Sequence, residues 1–355
     1  MKIGVIGTVG VPARYGGFET LAEQLAHHVD PAEHQLVFYG QRSAYPEIVG
    51  NPDFAGHARV FLPLKANGAQ SMLHDMLAMA HAALKVRPDV LLVLGYSGAW
   101  FLPLVRLLRP GMPIVTNIDG MEWRRDKFGR AAKALLRVLE WFGTRFSHRI
   151  IADNAGLVGL VREIHRVEPT LIAYGGDHTV VAPDPWLTLE PGYGLAVARI
   201  EPENNCHLIL EACHAAQHPM VFVGNWNATD YGRDLKQRYA GSACLTLLDP
   251  VYDTAKLAHL RAGAGVYLHG HSVGGTNPSL VEAIFHHDRI VCFDCTFNRH
   301  TMLGHGGYFS TPEDLAEVLR QPQAHRLAPD DLARLRRSYV WRNVVAEYLA
   351  CLAEA

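Results

Sequence analysis

The sequence predicts an α/β chain made of two parallel-sheet halves, and three observations carry that expectation. Short apolar or β-branched runs alternate with amphipathic stretches along all 355 residues, as they do when helices cover a parallel sheet. Each half holds a strand that runs into a glycine-rich loop and then a helix, first over Lys2–His28 and again over Gly265–His287. Between the halves, Val181-Ala-Pro-Asp-Pro-Trp-Leu-Thr-Leu-Glu-Pro-Gly192 carries three prolines and no periodicity, which suits a linker.

Composition narrows the function. With 49% hydrophobic and 19% charged residues, a chain of this length can bury two cores. A formal net charge of -2 argues against a general nucleic-acid binder. Six cysteines are too few for a disulfide framework at this length, so a reducing compartment is expected. The close pair Cys292-Phe-Asp-Cys295 lacks the second pair of a structural zinc site. No apolar run reaches the roughly 20 residues of a membrane span. A signal peptide is not expected either, because Met1-Lys-Ile-Gly-Val-Ile-Gly begins at once as a buried strand.

The elements follow in order. Lys2–Thr8 is a strand, Val9–Gly17 a loop, and Phe18–His28 a helix. Gly4, Gly7 and Gly10 do not have dinucleotide-fingerprint spacing, but the double glycine Gly16-Gly17 at the helix start suits close approach to a phosphate or sugar hydroxyl. Strands at Gln35–Tyr39, Arg59–Leu62 and Val90–Leu94 and a helix over Met72–Lys85 continue the pattern. The apolar stretch Tyr96–Leu108 reads first as a core helix and second as a surface that approaches a membrane. Strand Pro113–Asp119 ends in Asp119-Gly-Met-Glu-Trp-Arg-Arg-Asp-Lys127, polar residues at the strand edge where open α/β sheets bind ligands. There Asp119 and Glu122 can orient or deprotonate a hydroxyl, while Arg124, Arg125 and Lys127 can hold an anionic acceptor. A salt-bridged helix start explains the same charges. A helix over Ala131–Phe146 and strands Arg149–Ala152 and Thr170–Ala173 complete a first domain, placed at residues 1–180 with residues 181–192 as the linker.

The second domain, at residues 193–329, repeats the alternation. Tyr193–Ala198, Met220–Gly224, Thr246–Leu248, Gly265–His269 and Ile290–Asp294 read as strands. Cys206–Ala216, Thr254–Ala262, Pro278–His287 and Pro312–Arg320 read as helices, Thr296–Thr301 as a loop, and residues 330–355 as a last helix that packs back on the first domain. In the stretch His271-Ser-Val-Gly-Gly-Thr-Asn-Pro-Ser-Leu-Val-Glu282, Asn277 is placed as helix cap and Pro278 at the first helical position. Gly274, Gly275, Thr276 and Asn277 then bring backbone N–H groups and a helix dipole to an anion, most naturally a phosphate. Glu282, about one turn in, can accept from ribose hydroxyls. Arg199, just past its strand, is placed to reach a diphosphate from the same sheet edge. An ordinary strand-to-helix turn with a solvated glutamate is the bland alternative.

These residues carry a resemblance. The order strand-Arg-x-x-Pro-Glu, helix, strand-Gly, Leu-x-x-Leu, strand-His/Pro-Ser and Glu-Ala over about Tyr193–Asp294 resembles the donor half of GT-B glycosyltransferases of family 4. Gly7-Thr-x-Gly-x-Pro-x-x-Tyr-Gly-Gly-Phe-Glu-Thr20, Asp119-Gly-x-Glu-Trp123, Ala173-Tyr-Gly-Gly-Asp-His178 and Gly275-Thr-Asn-Pro-Ser-Leu-x-Glu-Ala283 resemble the subgroup of bacterial polysaccharide rhamnosyltransferases. The resemblance implies two Rossmann-like doubly wound domains facing each other across a cleft. It also implies a retaining transfer from a nucleoside-diphosphate sugar to a hydroxyl of a lipid-linked or oligosaccharide acceptor. Glu282 would hold the donor ribose, Arg199 would neutralise the leaving diphosphate, and Gly16-Gly17 would close over the phosphates. Two departures stand out: the family's first motif glutamate falls on Gly274, and the lysine that accompanies the arginine falls on Asn204. Asp119, with no protein base obligatory, would orient the acceptor first and act as base second.

No resident cofactor and no metal are expected, since no Asp-x-Asp ends a strand. Gly224 and Tyr252 complete the expected donor residues, with base selection near Val251-Tyr252. The donor is left open between dTDP-L-rhamnose and a uridine- or guanosine-linked hexose. The resemblance places the protein in the cytoplasm at the inner face of the membrane, in peripheral contact with it, and without a nucleic-acid partner. A nucleotide-sugar epimerase or hydrolase of the same fold, or a non-catalytic nucleotide-sugar-binding subunit, remain as alternatives.

Overall fold

The computed structural model describes residues 1–355 apart from Tyr15, Asp119, Asp126, Lys127 and Pro322. The chain divides into two compact units, Met1–Ala173 with Trp341–Ala355, and Tyr174–Val340.

The first unit is built on an eight-stranded sheet. Its elements run β1 (Lys2–Ile6), α1 (Gly17–His28), β2 (Gln35–Gln41), β3 (Asp53–Phe54), β4 (His57–Leu62), α2 (Ser71–His81), β5 (Val90–Leu94), α3 (Leu102–Leu108), β6 (Ile114–Ile118), α4 (Arg130–Phe146), β7 (Arg149–Ala152), α5 (Ala155–His165) and β8 (Thr170–Leu171). The strand order is β3-β4-β2-β1-β5-β6-β7-β8, parallel throughout except for the short antiparallel pair β3–β4. Strand β5 is a continuous apolar run, and β1 and β6 are buried at almost every residue, as expected for strands covered on both faces. The order reverses between β1 and β5, so the crevice for a ligand lies beyond their carboxyl ends.

The second unit carries β9 (Tyr193–Val197), α6 (Cys206–Ala215), β10 (Met220–Val223), α7 (Asp230–Arg238), β11 (Leu245–Leu248), α8 (Thr254–Gly263), β12 (Ala264–His269), α9 (Pro278–His286), β13 (Ile290–Phe293), α10 (Thr296–Thr301), β14 (Gly307–Phe309), α11 (Pro312–Arg320) and α12 (Pro329–Ser338). Its six parallel strands follow the order β11-β10-β9-β12-β13-β14, the doubly wound dinucleotide-binding order with its switch point between β9 and β12. Ile209, Leu210, Phe222, Trp226, Val266, Leu268 and Phe309 form the centre of its core.

Several expectations need correction. The division falls after Ala173, because the segment that follows is tied into the second unit: Gly176 N–H donates to Tyr339 O at 2.9 Å, and the Thr179 hydroxyl meets His286 Nε2 at 3.0 Å. The expected linker is likewise held along α8, with Asp184 N–H donating to Ala255 O at 3.0 Å and Trp186 Nε1 to Lys256 O at 3.1 Å. Residues 330–355 are two helices rather than one. The chain leaves helical geometry at Tyr339, whose hydroxyl donates to Thr301 O at 2.7 Å, and α13 (Trp341–Ala353) returns to the first unit. Thr296–Thr301 is helical, and α5, α7 and β14 were not anticipated.

Candidate functional site

In the second unit the sequence motifs converge on the switch point. The loop after β9 and the loop after β12 are joined by direct bonds: Ser272 N–H and hydroxyl donate to Glu203 O at 3.0 and 2.8 Å, and Asn205 Nδ2 donates to Gly270 O at 2.9 Å. Asn298 Nδ2 fixes the far side by donating to His271 O and Phe293 O, both at 2.8 Å. Arg199 is exposed on this edge, with Nε 3.8 Å from Glu201 Oε2. Asn204 is buried and donates from Nδ2 to Arg199 O at 2.8 Å, so at this position the side chain shapes the loop.

The loop Gly274, Gly275, Thr276 and Asn277 leads into α9 with Pro278 in the first turn. Gly274 has φ +115° and open space around its missing Cβ, so backbone conformation accounts for the glycine there. Asn277 occupies the cap position, but its side chain makes no capping bond; its Oδ1 instead accepts from the Ser279 hydroxyl at 3.3 Å. The expected side-chain cap is thereby corrected, and the positive end of α9 is not covered by it. Gly224 is a packing position: a Cβ would lie 2.6 Å from Ala198 O, next to the strand end that carries Arg199. Tyr252 is 66% exposed.

Glu282 is not a solvated glutamate. Its Oε2 bonds Arg261 Nη2, and its Oε1 lies 3.8 Å from His178 Nε2. Arg261, on α8, is buried, and its Nε and Nη1 have no hydrogen-bond partner among the described residues. Burial is the main cause that lowers the His178 pKa; the nearby Glu282 carboxylate opposes it and the Arg261 charge adds to it. Neighbouring imidazoles follow the same rule: burial pushes His269 down to about 3, and burial with His286 and Arg261 takes His287 to about 3. His269 and His271 stack with centroids 4.5 Å apart. Sequence reasoning missed Arg261, although a lone arginine three residues after Ala258 on an otherwise apolar helix face signals a buried partner.

In the first unit, Gly16 precedes α1 with φ +120°, and a Cβ there would sit 2.1 Å from Glu19 Oε2. The Glu19 carboxylate accepts from Val9 N–H at 2.8 Å, closing the glycine loop from within, and Gly17 is the first residue of α1. Glu122 and Arg124 form a single helical turn after β6. Arg125 donates to both Glu122 oxygens at 3.1 and 3.2 Å, and Arg124 lies over the Trp123 ring at 5.2 Å. These charges therefore pair with each other and with an aromatic face. Tyr96, just past β5, anchors the loop by donating to Gly120 O at 3.0 Å. Asp119 lies outside the described residues. Among the described residues no group of three or more His, Cys, Asp or Glu is disposed to hold a metal ion.

Residues 1–177 match the model of a family described as a domain of unknown function, DUF1972. No curated protein matches the sequence. Solved structures match over nearly the whole chain. Sucrose-phosphate synthase from Thermosynechococcus elongatus is 15% identical over 100% of both chains, with a TM-score of 0.81. HepE from Anabaena, solved with UDP and glucose, is 13% identical over 100% of this chain and 99% of that one, at 0.74. The α,α-trehalose 6-phosphate synthase from Burkholderia multivorans is 14% identical over 99% and 96%, at 0.73. Identities this low speak for fold alone. With two parallel-sheet units and these neighbours, the chain has the GT-B glycosyltransferase fold.

Proposed function

We propose that the protein is a retaining glycosyltransferase that moves a sugar, L-rhamnose from dTDP-L-rhamnose, to a hydroxyl of a lipid-linked glycan at the inner face of the cytoplasmic membrane. The observation that carries this reading is the site beyond β9 and β12: exposed Arg199, a glycine loop opening α9, and Glu282 one turn in, all held on one sheet edge. That the solved HepE structure is one with UDP and glucose supports a nucleotide sugar as the donor class.

Cleavage of the glycosidic C–O bond leaves an oxocarbenium-like centre and a diphosphate, so charge placed at the phosphates lowers the barrier most. Arg199 supplies a guanidinium, and the start of α9 supplies N–H groups and dipole. In this reading they do the work a divalent cation does elsewhere. The leaving phosphate oxygen takes the acceptor proton as the acceptor oxygen bonds the anomeric carbon. Asp119 orients the acceptor, with Glu122, Arg124 and Arg125 around it, and Gly16-Gly17 belongs to the donor-phosphate loop of the first unit.

The test is thermal shift with a panel of nucleoside diphosphates and nucleotide sugars on wild type, Glu282→Ala and Arg199→Ala. One nucleotide class should raise the melting temperature of wild type, at about 100 times its Kd by an amount equivalent to about 2.7 kcal/mol, and both substitutions should abolish the rise. Binding that survives both substitutions would place the donor elsewhere. Release of free sugar without any acceptor would replace transfer by hydrolysis.

A further inference from the structure

Three crossovers of the first unit, β5 to β6, β6 to β7 and β7 to β8, join neighbouring parallel strands, so right-handed connection puts α3, α4 and α5 on one face of the sheet. Helix α3 packs against α4, and what the two turn outward is apolar. On α3 the exposed set is Leu104, Leu107 and Leu108, with Leu107 77% exposed. On α4 it is Leu135, Val138 and Trp141, at the spacing of a single helical stripe. A cavity of about 360 Å³ lined by Trp123, Arg137, Glu140, Trp141, Ile164 and His165 continues this face between α4 and α5.

Charge identifies the occupant. On α3 and α4 there are five Lys or Arg and one acid, Glu140, in a chain whose net charge is -2. That acid is turned inward, accepting from Trp123 Nε1 at 3.1 Å with its other oxygen 2.6 Å from His165 Nε2. Arg106, Arg130, Arg137 and Arg145 are exposed around the leucines and Trp141. An apolar stripe ringed by cations matches the boundary of an anionic bilayer, where arginines meet headgroup phosphates and the stripe enters the acyl edge. No helix among the described residues is long and apolar enough to cross a membrane, so the contact is with the surface.

We propose that the α3–α4 face docks on anionic phospholipid headgroups, with Leu107, Val138 and Trp141 in the acyl boundary. This deepens the reading of a lipid-linked acceptor by naming the surface that meets the lipid. The experiment is cosedimentation of the full chain with vesicles of phosphatidylglycerol and phosphatidylcholine in equal parts, and with phosphatidylcholine alone. Partition to the anionic vesicles should be about tenfold or more stronger at about 0.1 M salt and should fall as salt screens the arginines. Leu107→Glu with Val138→Glu should reduce it about tenfold or more, and Arg145→Glu alone by about fivefold or more, while both variants retain the nucleotide thermal shift of wild type. Wild type that stays in the supernatant, or variants that sediment like wild type, would overturn the proposal. So would a wild-type dimer that ignores vesicles and becomes monomeric in the Leu107→Glu, Val138→Glu protein, since a second copy would then cover the face. Vesicle binding without nucleotide binding would refute the transferase reading and leave the surface standing.

Discussion

A carboxylate offers about four lone-pair positions, and in Glu282 the bond from Arg261 takes one of them and sets the plane of the group. His178, held toward its neutral form mainly by burial, faces the other oxygen. Arg261 therefore fixes the direction in which Glu282 presents its remaining acceptors. Arg261→Met should lower stability by about 2–3 kcal/mol, less than the full loss of a buried pair because Glu282 is partly exposed. It should also weaken nucleotide binding by about tenfold or more, as expected when a charged hydrogen-bonding group is misplaced. Urea unfolding and nucleotide titration would check both, and Arg261→Met that binds nucleotide like wild type would deny it that role. At this scale the sequence was legible in where residues stand, Arg199 just past β9 and Glu282 on α9. It was not legible for Arg261, whose significance depends on a partner 21 positions away in sequence. Gly274 and Asn204 were visible as departures from the family pattern, but their reasons, a positive φ and a loop-closing amide, belong to the folded backbone.

The segment from β12 to α9 packs imidazoles where most proteins place hydrocarbons. His269 and His287 are buried and pushed down to about 3, and burial with the nearby Arg261 and Arg336 takes His286 to about 4. An unfolded histidine titrates near 6.5, so as pH falls below that value the unfolded state binds protons that the native state refuses. Stability is thus complete above about pH 6.5 and is lost toward pH 3, at about 1.4 kcal/mol per pH unit for each of His269 and His287 in that window. Thermal melts at neutral pH and near pH 5 should show the second unit melting several degrees lower in acid, and His287→Leu should reduce the difference. Equal melting at both values would mean that these imidazoles are hydrated in the native state. The strand, the loop and the helix of this segment were readable from alternation and glycines. The helix Thr296–Thr301 was not, because a single turn and a half carries too few residues to show a period. The strand Gly307–Phe309 is shorter still.

On the scale of the whole molecule, the two-unit architecture was legible because alternation and the glycine loops are repeated signals, while the boundaries were not, because they depend on which unit a segment packs against. The last helix makes that dependence testable. Helix α13 belongs to the first unit although the chain reaches it only after completing the second. Trp341, Val344, Val345, Tyr348 and Leu352 are all nearly inaccessible, and the Tyr348 hydroxyl accepts from Asn117 Nδ2 on β6. At about 1.5–3 kcal/mol for each large apolar side chain, their burial contributes on the order of 10 kcal/mol, comparable with the entire stability of an ordinary domain. A chain ending at Val340 should therefore lose the cooperative melting of the first unit. The second unit keeps its own sheet and core, so it should still melt cooperatively and still be shifted by the nucleotide that binds the full chain. Calorimetry with and without that nucleotide would decide it: two retained transitions would mean that α13 is dispensable to the first unit, and loss of both would mean that the two units do not fold independently.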